Sequence, residues 1–127
     1  EAGSTKEMVA GVRARHSAAP AHFDAIFDQM DRISMEGGRL LRDGDWQGLG
    51  ALMNLCQGLL NGIGVSTPEL ERMIALARQS GAAGAKLTGA GGGGSIVALC
   101  PGTVDEVAGA LRRSGYNTLV PGGVNRS

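Results

Sequence analysis

Between Thr88 and Ser95 the chain runs Gly89-Ala90-Gly91-Gly92-Gly93-Gly94, five glycines in six positions. Such a run cannot form an ordinary helix or strand. Glycine loses the most backbone freedom on folding, so it is kept where φ is positive or where a ligand must touch the backbone. Apolar residues flank the run on both sides, which predicts a loop presented by a rigid frame. Successive amides in a loop of this kind converge into a concave anion site. The segment therefore points to a phosphorylated or carboxylated small molecule.

Three readings of the loop compete on residues alone. Gly89-x-Gly91-x-x-Gly94 fits the dinucleotide fingerprint formally, but that fingerprint needs a helix after the loop. Ile96-Val97-Ala98-Leu99-Cys100 reads instead as a strand. A P-loop ends in Gly-Lys-Ser/Thr, whereas this one ends in Gly94-Ser95-Ile96, and the nearby lysine, Lys86, precedes the glycines. A strand–glycine loop–strand unit remains. Its plainest version is a glycine-lined hairpin or a tight packing site without ligand.

Lys86-Leu87-Thr88-Gly89-Ala90-Gly91-Gly92-Gly93-Gly94 followed by an apolar strand resembles the third signature motif of the GHMP kinases, and among them the mevalonate kinases most closely. Ser4-Thr5-Lys6-Glu7-Met8-Val9-Ala10-Gly11-Val12-Arg13 is similar to the start of that family's C-terminal domain. Met53-Asn54-Leu55-Cys56-Gln57-Gly58-Leu59-Leu60-Asn61-Gly62-Ile63-Gly64-Val65-Ser66 is similar to the helix that precedes the third motif. The order and spacing of the three agree. Ser95 stands where the mevalonate kinases commonly carry cysteine.

The resemblance implies an α+β fold, a helix-rich domain with a small antiparallel sheet and a ferredoxin-like core. It implies one domain, residues 1–127, whose N-terminal catalytic and ATP-binding partner domain lies outside this sequence. The family's phosphate loop, catalytic aspartate and lysine belong to that partner, so this chain alone is expected to be inactive and to hold no metal and no catalytic residue. The activity implied is phosphoryl transfer from ATP, with Mg²⁺, to the C5 hydroxyl of mevalonate in isoprenoid precursor synthesis. The residues it implies for substrate and phosphate binding are Thr5, Gly89, Ala90, Gly91, Gly92 and Gly93. Ala90 falls on a family position that lines the substrate pocket. Thr5 matches a position near the substrate, and it equally suits a helix cap. Lys86 is a phosphate contact or a solvated strand-end lysine.

Composition narrows the function classes. A chain of 127 residues suits one domain with its own modest core. Formal net charge zero gives no electrostatic case for nucleic acid or an anionic membrane surface. An aromatic content of 3% removes the stacking platforms expected for single-stranded nucleic acid. No apolar run is long enough to span a bilayer. Cys56 and Cys100 lie apart on apolar segments and read as buried reduced thiols of a cytoplasmic protein. With His16 and His22 they lack the spacing of a zinc site.

Caps and periodicity predict the elements. Ser4-x-x-Glu7 predicts a helix through about residue 18, with any first strand of the sheet lying before Glu1 or surviving as Glu1-Ala2-Gly3. Pro20 starts a second helix, with Phe23, Ile26, Phe27, Met30, Ile33 and Leu40 or Leu41 inward, an Asp28–Arg32 pair outward, and Gly37-Gly38 as a kink or a close approach. Gly44 ends it. Asp45 caps a third helix carrying Trp46, Leu49, Met53, Cys56, Leu60 and Ile63. Ser66 or Thr67 caps a fourth, with Leu70, Met73, Ile74 and Ala77 inward. Strands are predicted at Ala85–Thr88, Ile96–Cys100 and Tyr116–Val120, with a capping-box helix from Thr103 to Gly115 between the last two.

A missing first strand would leave an exposed sheet edge, an association liability that makes a homodimer an expectation. Two other functions fit the same residues. One is phosphomevalonate kinase or another GHMP kinase, since the glycine motif does not choose the substrate. The other is a stand-alone anion-binding or regulatory domain.

Overall fold

The computed structural model describes residues 2–88 and 94–120, with side chains from residue 10 onward. Five helices and two strands follow in the order α1 (Ala2–Ala18), α2 (Pro20–Asp43), α3 (Trp46–Gly62), α4 (Pro68–Gln79), β1 (Gly84–Thr88), β2 (Ser95–Leu99) and α5 (Val104–Arg113). The fold is α+β and helix-rich, with a two-stranded antiparallel sheet among the described residues. The register pairs Gly84 with Leu99, Lys86 with Val97 and Thr88 with Ser95.

Local chemistry sets most of the boundaries. The Asp45 carboxylate accepts from Gly48 N–H at 2.9 Å, which opens α3. The Thr67 hydroxyl accepts from Leu70 N–H at 3.1 Å, and Pro68 occupies the first turn of α4. Thr67, not Ser66, is therefore the cap. Leu40 turns inward on α2 while Leu41 is 55% exposed.

Several expectations are corrected. Helix α1 already includes Ala2 and Gly3, so the Ser4-x-x-Glu7 pattern lies inside the helix, and neither Ala2 nor Gly3 is a strand remnant. Alanine is the best helix former, and one glycine costs only about 1 kcal/mol. Thr103 makes no cap bond: its hydroxyl donates to the Gly81 carbonyl at 2.9 Å instead. Asp28 and Arg32 form no ion pair, and α2 pairs Arg39 with Glu36 and Asp43. Gly37 and Gly38 do not break α2, and a Cβ at Gly37 would make only ordinary contact with Leu49. Tyr116–Val120 is not a strand. A strand needs a backbone partner, and this segment and β2 instead both line a groove of about 830 Å³, together with residues of α4 and α5.

The core lies between the sheet and the last two helices. Ile74 and Ala77 of α4, Val107 and Leu111 of α5 and Ala85 of β1 form one buried cluster. Ile96 and Ala98 of β2 pack on the same side, as the register requires. Helix α3 covers the opposite edge of β1 at backbone distance. A Cβ on Gly50 would fall 2.5 Å from the Ala83 carbonyl, and one on Gly84 would fall 2.3 Å from the Gly50 carbonyl oxygen. Two glycines thus allow a helix and a strand to touch main chain to main chain.

Candidate functional site: the frame of the glycine loop

Gly89, Ala90, Gly91, Gly92 and Gly93 lie outside the described residues, as does the side chain of Thr5. What the structure shows is how the chain presents that loop. The last register pair, Thr88 with Ser95, brings the two ends of the segment side by side, and both residues are exposed. On the same face, two residue pairs further in, Lys86 lies opposite Val97.

β1 is held along its whole free edge by side chains. Asn54 of α3 accepts from Ala85 N–H at 3.0 Å and donates to the Ala83 carbonyl at 3.3 Å. Arg78 of α4 donates to the Asn54 carbonyl oxygen at 2.9 Å and to the Ala85 carbonyl at 3.5 Å. One turn beyond Asn54, Gln57 accepts from Leu87 N–H at 2.8 Å. Lys86 closes the row by donating to the Leu87 carbonyl at 3.0 Å. These side chains replace a neighbouring strand and satisfy the backbone groups that burial would otherwise strand. Lys86 is half-buried and spends one ammonium donor on the edge, so it is not a freely solvated strand end.

Sequence reasoning missed Asn54 and Gln57. The available signal was two carboxamides three residues apart inside an apolar helix, on one face by helical geometry. Gln57 is 2% exposed, so each of its polar atoms must find a partner. Its amide donates to Ser66 Oγ at 3.0 Å and to Glu71 Oε2 at 2.7 Å, and Ser66 Oγ donates to the same carboxylate oxygen at 2.5 Å. Among the described residues no buried side-chain polar atom lacks a partner.

Helix α1, which carries Thr5, is tied to the same body through Arg15. Its guanidinium donates to the Ile63 carbonyl at 3.1 Å and the Gly64 carbonyl at 3.4 Å, just past the C-terminal end of α3. Gly64 has φ +88°, and a Cβ there would strike the Arg15 guanidinium at 2.1 Å. His16 adds a 2.9 Å contact to Asp24 and packs against Phe23 and Phe27, a pairing between α1 and α2 that the sequence did not reveal.

Arg72 holds the Glu69 carboxylate below its usual range, and Arg39 does the same for Glu36. Burial pushes the Cys100 thiol up. Cys56 and Cys100 are free and half-buried. Among the described residues no three His, Cys, Asp or Glu side chains cluster as a metal site. No described helix is long and apolar enough to cross a membrane.

Among the described residues, the hairpin brings the hydroxyl-bearing Thr88 and Ser95 together at the two ends of the glycine-rich segment. Residues 39–117, more than half of the chain, match the family described as GHMP kinases C terminal. The chain belongs to that family. Its curated relatives include mevalonate kinases: it is 51% identical to that of Methanothermobacter thermautotrophicus over 112 residues, 88% of this chain and 37% of the relative. It is 42% identical to that of Pyrococcus abyssi over 123 residues, 93% of this chain and again 37% of the relative. A crystal structure of L. major mevalonate kinase in complex with R-mevalonate superposes with a TM-score of 0.77 at 35% identity, covering 86% of this chain and 34% of that one. The chain thus spans little more than a third of the length of the proteins it matches.

Proposed function

We propose that the protein containing this chain is a mevalonate kinase, transferring the γ-phosphoryl of ATP to the C5 hydroxyl of mevalonate, and that this chain forms the glycine-loop wall of its site. The observation that carries the reading is the 51% identity to a mevalonate kinase across most of the chain. The family match includes the glycine run.

Phosphoryl transfer depends on positioning and on neutralising spread negative charge. A glycine loop serves both ends: its amides donate to anionic oxygens, and the lack of Cβ atoms admits the ligand to backbone distance. Gly89, Gly91, Gly92 and Gly93 would act in this way, with Ala90 walling the alcohol substrate and Thr5 nearby on α1. When bound by the rest of the enzyme, Mg²⁺ would neutralise phosphate charge. The partner N-terminal domain would supply the acid–base chemistry, and the cytosol is the compartment that two free thiols fit.

The test is ATP-dependent phosphorylation by the complete protein, followed by phosphorus NMR. Formation of mevalonate 5-phosphate is expected. Turnover of phosphomevalonate, with mevalonate untouched, would move the assignment to another member of the family.

A further inference from the structure

A carboxamide buried to 2% exposure is a costly way to hold a strand, and its orientation must be specified by its neighbours. The Gln57 oxygen faces Leu87 N–H and its amide nitrogen faces Glu71. A carboxylate has only acceptors to offer, so Glu71 admits one of the two amide orientations and rejects the flipped one. Ser66 strengthens the choice, because its hydroxyl donates to the same Glu71 oxygen and accepts from Gln57. The result is a directed chain of hydrogen bonds from α4 through α3 into β1. It ends on Leu87, two residues before Gly89.

We propose that Gln57, Ser66 and Glu71 are positioning residues that set where β1 delivers the glycine loop. The proposal rests on the reading of that loop as the phosphate-facing wall of a kinase. None of the three touches substrate. They act through the Leu87 amide, whereas Asn54 anchors the start of the same strand at Ala85. Misplacement of a loop by about an ångström is enough to cost on the order of a hundredfold in rate. The effect should therefore fall on turnover even where folding survives.

The experiment uses the complete protein and three variants. Gln57→Glu puts a second carboxylate against Glu71 and should lower kcat/KM at least about tenfold. Glu71→Gln removes the orienting charge and should lower it less. The exchange variant, Gln57→Glu with Glu71→Gln, keeps an acceptor for Leu87 N–H and restores a donor between positions 71 and 57. It should recover most of the loss. Ile33→Val, a core change on α2, should leave kcat and KM unchanged where all variants are folded. Hydrogen exchange of the Leu87 amide gives a readout independent of catalysis: faster in Gln57→Glu, recovered in the exchange variant. Unchanged Leu87 exchange in Gln57→Glu, or no recovery of either readout in the exchange variant, would overturn the proposal. If the wild-type protein phosphorylates no alcohol, the kinase reading fails and the Leu87 exchange series alone decides the positioning role.

Discussion

Two glycines of one helix should answer the same substitution with opposite signs. Gly50 and Gly58 both lie inside α3, where alanine is intrinsically better than glycine by about 1 kcal/mol. A Cβ at Gly58 meets nothing within 4 Å, so Gly58→Ala should stabilise by about that amount. A Cβ at Gly50 would sit 2.5 Å from both the carbonyl carbon and the oxygen of Ala83 and 2.8 Å from the Ala83 Cβ. Neither backbone can give way by changing rotamer, and the helix would have to move off β1. Overpacking costs about 1–3 kcal/mol even where side chains can adjust, so the clash should outweigh the propensity gain. We expect Gly50→Ala to destabilise by about 1–2 kcal/mol net. Urea unfolding followed by circular dichroism and by Trp46 fluorescence reads both variants. Stabilisation by Gly50→Ala equal to that of Gly58→Ala would refute the main-chain contact between α3 and β1.

Ala90→Leu in the complete enzyme should raise KM for mevalonate at least about tenfold, a cost of ~1.4 kcal/mol, and unchanged kinetics would remove Ala90 from the pocket. Arg15→Met should cost about 1 kcal/mol and speed proteolytic cleavage between α1 and α2, because the Ile63 and Gly64 carbonyls lose their donor. Cys100 is a neutral thiol with its folded pKa raised by burial. The stability it contributes is therefore complete below the ordinary thiol range and is lost as pH rises through the raised value. In a Cys56→Ser background, alkylation of Cys100 should lag behind that of glutathione until alkaline pH, and equal rates would contradict the burial. The isolated chain exposes Val97 (46%) and Leu119 (87%), residues that line the open groove. It should associate at high concentration, and a monomer throughout in sedimentation would refute that expectation.

What the sequence made legible was local. Asp45 and Thr67 cap because the bonded amides lie three residues away on the same chain. Thr103 shows the same pattern, yet the Gly81 carbonyl captures its hydroxyl, a tertiary partner that no local motif encodes. The glycines of α3 looked alike, and only their neighbours separate Gly50 from Gly58. Tyr116–Val120 has a strand composition, but it forms no ladder with the free edge of β2, with which it lines a groove. At the site, the glycine motif was legible because its composition excludes regular structure. The clamp on β1 was not, because Asn54, Gln57 and Arg78 are joined to it only by the packing of α3 and α4.

The most direct measurement is the steady-state rate at which the complete protein phosphorylates R-mevalonate with ATP, compared with the same protein carrying Ala90→Leu and with this chain alone. Turnover by the complete protein, a raised KM in the variant and none from the chain alone is the predicted result. Turnover by the isolated chain, or a complete protein inert toward mevalonate, would contradict the account.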